Sequence, residues 1–259
     1  MSIENKESFH ARLQPYLSPS DILDVKLAYT LAKFGHRSQS RKEMVDGKPM
    51  RYFEHVRRVS LILIDEMSII NKDMIIAALC HDSIEDSHDI QAELLEHCFG
   101  TNVVSIVKIL SKVPKDGYHE RLAACKNWEA IAIKACDRLD NLRSLMVPGT
   151  SREFQKRQVE ETKKYYFPLF DNLLEICPKH YIKNIIPIRD EIRRLVERYS
   201  VIIELDDIKE VVDIAKNVKQ SNIKELKKCP YCDGGYRQWK NEEDYKLCLV
   251  CKGTNKVER

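Results

Sequence analysis

The chain has 259 residues, of which 43% are hydrophobic and 32% are charged, and its formal net charge is +3. This composition excludes an intrinsically disordered protein, and the length allows one sizeable domain plus a small module. The balanced charge neither requires nor excludes a nucleic-acid partner. No stretch approaches the roughly 18–20 apolar residues of a membrane helix, and the polar start MSIENKESFH lacks the apolar core of a signal peptide. We therefore expect a cytoplasmic protein that does not bind a membrane.

Apolar residues recur at helical spacing over most of the chain, and glycine and β-branched alternation are rare. This pattern predicts an all-α domain over residues 1–200, followed by a charged, helical linker over residues 201–228. Pro168 predicts a kink or a break in its helix. The helices of the domain are predicted at residues 21–36, 52–67, 72–86, 89–100, 102–112, 128–146, 152–176 and 186–199.

Residues 81–86 read HDSIED and follow the apolar run MIIAALC. On a helix, His81 lies four residues before Glu85, and Asp82 lies four residues before Asp86, so these side chains are neighbours. Burying ionisable groups beside an apolar helix is costly unless they have partners. The segment therefore indicates a functional cluster.

Two other predicted helices carry side chains that suit a metal site. His55 lies in one of them, and Asp137, Asn141 and Ser144 share one face of the other. Together with the HDSIED segment, three helices offer two imidazoles and two carboxylates. This set suits Mn, Fe or Zn with open coordination positions better than Ca or Mg.

Glu85 and Asp86 are then candidates to orient or deprotonate a metal-activated water, or to protonate a leaving oxygen. A structural explanation is equally compatible with the spacing alone. In that case the histidines are ordinary hydrogen-bonded residues, and Asp137 pairs with Arg138 or Arg143.

Five segments that occur in order along the chain carry a family resemblance. They are HRSQSRKEMVDGKPMRYFEHV (36–56), AALCHDSIEDS (77–87), FGTNVVSIVKILSK (99–112), IKACDRLDNLRSL (133–145) and EETKKYYFPLF (160–170). This set resembles the hydrolase domain of RelA/SpoT-type alarmone enzymes, a branch of the HD-domain metal-dependent phosphohydrolases. The resemblance implies an HD-domain helical bundle that hydrolyses the 3′-pyrophosphate of guanosine tetra- or pentaphosphate, releasing GDP or GTP and pyrophosphate.

The resemblance also assigns roles to individual residues. The metal, usually manganese (Mn²⁺) in this family, would be held by His55, His81, Asp82 and Asp137. Glu85 and Asp86 would handle the attacking water. The nucleotide substrate would be bound by Arg41 near the base, by Lys42 near phosphate, and by Asn141 and Ser144 at the ribose and its phosphates.

The chain departs from the family pattern at a few positions. Asp140 stands where the family often has His, which leaves the base preference open, and Val56 stands where the family has Pro. Ser83 and Cys80 replace common aliphatic residues. About 60 residues follow residue 200, too few for the synthetase domain of the long family members. We therefore expect a protein that degrades alarmone without making it.

The C-terminal segment 229–259 contains two Cys-x-x-Cys pairs separated by 15 residues. This spacing is typical of a closed, structural Cys₄ zinc (Zn²⁺) module that needs its metal to fold. The interleaved basic and aromatic residues allow an RNA partner, whereas three consecutive acidic residues at 242–244 favour a stabilising or protein-docking role. The four ligands would be Cys229, Cys232, Cys248 and Cys251.

Two alternative functions stay open at this point. The chain could be an HD phosphohydrolase that acts on an adenosine alarmone, a pyrophosphorylated tRNA end or the 2′-phosphate of NADPH. It could also be a non-catalytic regulator that binds a nucleotide or a partner, although the intact set of ligands and acids argues against this. The sequence does not predict an oligomeric state.

Overall fold

The computed structural model of the chain describes residues 5–45, 47–225, 227–228, 236–238, 245–247 and 256–257. The chain divides into two compact units, Met1–Val201 and Ile202–Arg259. The predicted division at residues 1–200, 201–228 and 229–259 stays a prediction. Among the described residues, no helix combines the length and the apolarity needed to cross a bilayer.

The first unit is mostly helical, as predicted, and contains one β-hairpin. Its helices are α1 (Lys6–Ala11), α2 (Pro19–Gly35), α3 (Tyr52–Leu61), α4 (Lys72–Cys80), α5 (Ser83–Asp86), α6 (Ala92–Phe99), α7 (Thr101–Leu110), α8 (Tyr118–Ala124), α9 (Trp128–Arg143), α10 (Arg152–Glu161), α11 (Phe167–Ile176) and α12 (Ile182–Glu225). Helix α12 continues into the second unit.

Helix α4 forms the centre of the first unit and packs against α2, α3, α7 and α9. Every residue from Met74 to Cys80 is buried. A helix that is apolar on all sides is stable only when other helices surround it. The side chains of Asn71 and Asn127 cap α4 and α9 by accepting from the backbone N–H of Met74 and Ala130, at 3.0 and 2.8 Å. These caps define where the two central helices begin.

The structure corrects the predicted helix at 72–86. Helical hydrogen bonding is interrupted at His81 and Asp82, which form a turn between α4 and α5. In a regular helix, consecutive side chains point about 100° apart. The turn departs from regular helix geometry, so the adjacent side chains of His81 and Asp82 can both point towards the same site.

Other element boundaries also differ from the predicted ones. The hairpin of β1 (Ser40–Val45) and β2 (Lys48–Arg51), which pair antiparallel, was not predicted. The break predicted near Pro168 is confirmed, because a π-helical turn at Thr162–Tyr166 separates α10 from α11. The predicted helix at 186–199 and the helical linker after it form one helix, α12, which contains Pro187.

The second unit contains two short antiparallel strand pairs among its described residues. They are β3 (Lys227–Lys228) with β6 (Lys256–Val257), and β4 (Tyr236–Gln238) with β5 (Tyr245–Leu247). All four cysteines of the predicted zinc module lie outside the described residues.

Candidate active site and metal centre

Four of the predicted metal ligands converge from three parts of the fold. Helix α3 supplies His55, the turn after α4 supplies His81 and Asp82, and α9 supplies Asp137. His55 Nε2 lies 3.3 Å from Asp137 Oδ1 and 3.7 Å from Asp82 Oδ2. His81 Nε2 lies 3.0 Å from Asp82 Oδ2 and 3.8 Å from Asp137 Oδ1. Two ligand atoms bound about 2.1 Å from one ion are about 3.0–3.4 Å apart at 90–109°, so the cluster has the dimensions of a metal site.

The hydrogen bonds of the two imidazoles direct both Nε2 atoms into this centre. His81 Nδ1 lies 2.8 Å from the carbonyl oxygen of Ala78, and His55 Nδ1 lies 2.6 Å from Asp140 Oδ2. The buried His81 Nε2 has no hydrogen-bond partner of acceptable angle among the described residues, although Asp82 is close. Histidine ligands of metals commonly have this arrangement, with one nitrogen free and the other donating to a carbonyl or carboxylate. The residues therefore fit a bound metal ion.

The two carboxylates of the centre are held in place by polar neighbours. The Tyr52 hydroxyl donates to Asp82 Oδ2 at 2.6 Å, and the Asn141 amide donates to Asp137 Oδ1 at 2.6 Å. The Lys134 ammonium donates to Asp137 Oδ2 at 2.7 Å. Burial opposes ionisation, yet the Lys134 charge keeps the pKa of Asp137 well below its ordinary value. Asp137 therefore stays anionic, as a metal ligand must.

The electrostatic environment of the centre favours positive charge. Burial by itself lowers the pKa of His81, but the adjacent Asp82 and Asp137 carboxylates raise that pKa to about 9. Burial likewise opposes the ionisation of Asp82, and the His81 imidazole overcomes it and lowers the pKa of Asp82. A divalent cation would satisfy the same buried carboxylates.

Glu85 and Asp86, the predicted acidic pair, lie on α5 beside the cluster and line the same cavity. Glu85 Oε2 accepts from the backbone N–H of Lys112 at 3.1 Å. Burial raises the pKa of Asp86, and the negative charges of Asp82 and Glu85 raise it further. A carboxyl group with a raised pKa is better suited to take up and release a proton than one at its ordinary pKa.

The cavity that contains the cluster has a volume of about 430 Å³, and both acidic and basic side chains line it. The acidic ones include the carboxylates described above. Other lining residues are cationic, an arrangement that binds phosphate groups through charge-assisted hydrogen bonds. These cations are Lys112, Lys115, Lys134, Arg138 and Arg157.

A second cavity of about 240 Å³ adjoins the first, because Tyr52, Asn141, Phe154 and Gln158 line both of them. All four predicted substrate-binding residues line this second cavity: Arg41, Lys42, Asn141 and Ser144. The Arg41 Nη2 atom donates to Asn141 Oδ1 at 2.9 Å and to Ser144 Oγ at 3.1 Å. The hairpin thus brings Arg41 to α9 across 100 residues of sequence.

In the described part of the chain, neither of the two arginines suggested as partners of Asp137 forms an ion pair with it. Arg143 pairs instead with Glu66 and Glu191 on the outside of α9. Arg138 pairs with Glu161, 3.4 Å away. The actual partner, Lys134, was not predicted to belong to the site, although its position three residues before Asp137 places both on one helical face.

Helices that bring two imidazoles and two carboxylates together beside a partly cationic cavity define an all-α domain with a candidate metal centre. The profile of the HD domain family matches residues 28–176, and the chain belongs to this family.

Among its relatives, the fruit-fly protein named guanosine-3′,5′-bis(diphosphate) 3′-pyrophosphohydrolase MESH1 is 37% identical over 133 residues, which are 49% of this chain and 72% of the fly protein. The Escherichia coli bifunctional (p)ppGpp synthase/hydrolase SpoT is 29% identical over 233 residues, or 85% of this chain. The chain spans only 30% of the length of SpoT. A solved structure described as a metazoan orthologue of SpoT that hydrolyses ppGpp superposes with a TM-score of 0.54 at 29% identity. That superposition covers 69% of this chain and 96% of the solved one.

Proposed function

We propose that this chain is a metal-dependent (p)ppGpp 3′-pyrophosphohydrolase that produces GDP or GTP and pyrophosphate. The observation that carries the proposal is the His–Asp cluster in a cavity with a partly cationic lining, which adjoins a pocket lined by Arg41. The family membership and the name of the fruit-fly relative support it.

His55, His81, Asp82 and Asp137 would hold the metal ion, which we propose to be Mn²⁺. Mixed imidazole and carboxylate ligands suit this ion. When bound, it would supply Lewis-acid activation of water and neutralise charge on the phosphoryl oxygens.

Glu85 and Asp86 would manage the protons of the reaction. The attacking water loses a proton and its oxygen bonds to the ester phosphorus, the bond between phosphorus and the ribose O3′ breaks, and O3′ gains a proton, which yields the nucleotide and pyrophosphate. The raised pKa of Asp86 suits it to exchange that proton. Glu85, which the Lys112 backbone N–H holds in place, would orient the water.

Arg41, Lys42, Asn141 and Ser144 would bind the nucleotide, Arg41 near the base, Lys42 near phosphate, and Asn141 and Ser144 at the ribose and its phosphates. The guanidinium of Arg41 is kept in one orientation by Asn141 and Ser144, so little entropy is lost when a planar base or a phosphate binds to it. The lysines and arginines of the larger cavity would contact the diphosphate groups.

Pyrophosphate release by the manganese-loaded protein tests the proposal directly. We expect release from guanosine tetraphosphate, and a loss of about 10²–10⁴-fold in kcat in the Glu85→Gln and Asp86→Asn variants. Glu96→Gln, on an exposed position of α6, is the control. A panel with the adenosine analogue and NADPH separates the alternative substrates. The absence of pyrophosphate release with full metal content would refute the proposal, and unchanged rates in both acid variants would refute the assigned roles.

We also propose that Cys229, Cys232, Cys248 and Cys251 hold a structural Zn²⁺. The support is the spacing of the two Cys-x-x-Cys pairs, and an RNA or a protein stays open as the partner of this module. Elemental analysis should find one zinc per chain, and the Cys229→Ser/Cys248→Ser double variant should contain none at that site.

A further inference from the structure

Asp140 is a buried carboxylate to which the family resemblance assigns no role. It is 2% exposed and lies three residues after Asp137 on α9. From the sequence, Asp140 stands where the family often has His. In the structure, Asp140 does not line the smaller cavity, and its carboxylate contacts His55 and Arg58.

The contacts of Asp140 are short and involve both of its oxygens. His55 Nδ1 lies 2.6 Å from Oδ2. Arg58 donates through Nε to Oδ1 at 2.6 Å and through Nη2 to Oδ2 at 3.0 Å. The bidentate guanidinium restricts the rotation of the carboxylate, and the carboxylate in turn restricts the rotation of the imidazole.

We propose that Asp140 is a positioning residue for the metal ligand His55, and that Arg58 keeps Asp140 in place for this role. The proton of His55 resides on Nδ1, where Asp140 accepts it, so Nε2 presents its electron pair to the metal centre. This inference rests on the proposed metal site.

The position of Arg58 is itself secured from the opposite side. Its Nη2 donates to Glu43 Oε1 at 2.9 Å, and the same oxygen accepts from Arg41 Nε at 3.2 Å. Negative and positive side chains therefore alternate from Asp140 to Arg41, and they join α9, α3 and the hairpin. His55 is thus oriented by groups that also contact the smaller cavity.

Titration of the metal-stripped full-length chain with Mn²⁺ in a calorimeter, without substrate, tests the inference. We expect Asp140→Asn to weaken Mn²⁺ binding by about 10–100-fold, because the amide still fits but carries no charge. Arg58→Gln should weaken binding in the same direction, and Arg58→Lys should recover part of the loss because it restores a cation.

Two further variants serve as controls. Asp171→Asn alters an exposed carboxylate that also accepts from arginines, Arg189 and Arg193, and that lines neither cavity; its Mn²⁺ affinity should equal that of the unmodified chain. His55→Gln removes the proposed ligand itself, so any Mn²⁺ that this variant still binds belongs to another site.

The outcomes separate the two proposals. If His55→Gln binds Mn²⁺ as tightly as the unmodified chain does, or the unmodified chain binds none, the metal site itself is refuted. If His55→Gln loses binding while Asp140→Asn retains full affinity, only the positioning role is refuted. Should Asp140→Asn fail to fold, Arg58→Gln and Arg58→Lys decide, and equal affinities in these two variants and the unmodified chain would overturn the inference.

Discussion

Lys134 is the buried cation of the metal centre, and its replacement by methionine tests the electrostatics of the site. Its Nζ donates to Asp137 Oδ2 at 2.7 Å, and the two side chains are only 5% and 6% exposed. Lys134→Met keeps an unbranched apolar chain of similar length but removes the charge. In the metal-free protein, Asp137 then loses its nearest cation while it stays buried.

The size of the destabilisation by Lys134→Met depends on whether Asp137 stays ionised or takes up a proton. Removing one partner of a buried ion pair costs about 3–5 kcal/mol. Asp137 can also avoid the buried charge by taking up a proton. Protonating a carboxyl group of ordinary pKa 3.8 at pH 7 costs about 4 kcal/mol, so the destabilisation cannot exceed this amount. We therefore expect Lys134→Met to lower the free energy of unfolding by about 3–4 kcal/mol at pH 7. The loss should shrink as the pH falls towards 4, because protonation of Asp137 becomes less costly.

Urea unfolding of chelator-treated protein at pH 7 and pH 5 measures the loss in free energy of unfolding and its dependence on pH. The Lys134→Met/Asp137→Asn double variant should be more stable than Lys134→Met, since it no longer buries a carboxylate that has lost its nearest cation. Lys163→Met is the control, because Lys163 pairs at 3.1 Å with the exposed Glu160 and should contribute less than about 1 kcal/mol. A Lys134→Met variant as stable as this control, or a loss independent of pH, would show that the ammonium does not offset the Asp137 charge.

Three further predictions concern the fold and the substrate pocket. Burial and nearby lysines lower the pKa of His10 from 6.5 to about 4, so its contribution to stability is complete above pH 6.5 and is lost as the pH falls towards 4. Between pH 6.5 and 4, the free energy of unfolding in urea should therefore fall by about 3 kcal/mol less in His10→Gln than in the unmodified chain. Parallel plots of this free energy against pH for the two proteins would contradict the prediction. A Cβ on Gly35 would lie 2.6 Å from Ile90 Cδ1, so Gly35→Ala should lower the free energy of unfolding by about 1–3 kcal/mol, and thermal unfolding at an unchanged Tm would disprove the clash. Arg41→Ala should raise KM for guanosine tetraphosphate by about tenfold or more, whereas Arg37→Ala, which alters a surface pair, should not; equal KM values would remove Arg41 from the site.

The sequence by itself determined the helical class of the domain and the candidate ligands. Helical periodicity reflects burial of one helix face, which is a local property of the chain. The break at Pro168 was predictable for the same reason, because proline disrupts its own helix. The candidate ligands were identified from five segments that occur in order along the chain. This order can be read from the sequence without knowing how the helices pack.

Tertiary structure alone decided the environment of each ligand. The hydrogen bond of Asp140 to His55 joins residues 85 positions apart, and no local pattern encodes which buried side chain will lie behind an imidazole. The interruption at His81 and Asp82 was likewise invisible, since both residues continue a helical pattern. Long-range contacts depend on how whole helices pack, and packing is a property of all their surfaces together. The sequence thus names the groups that could bind a metal, and the fold decides which of them meet and which neighbours hold them there.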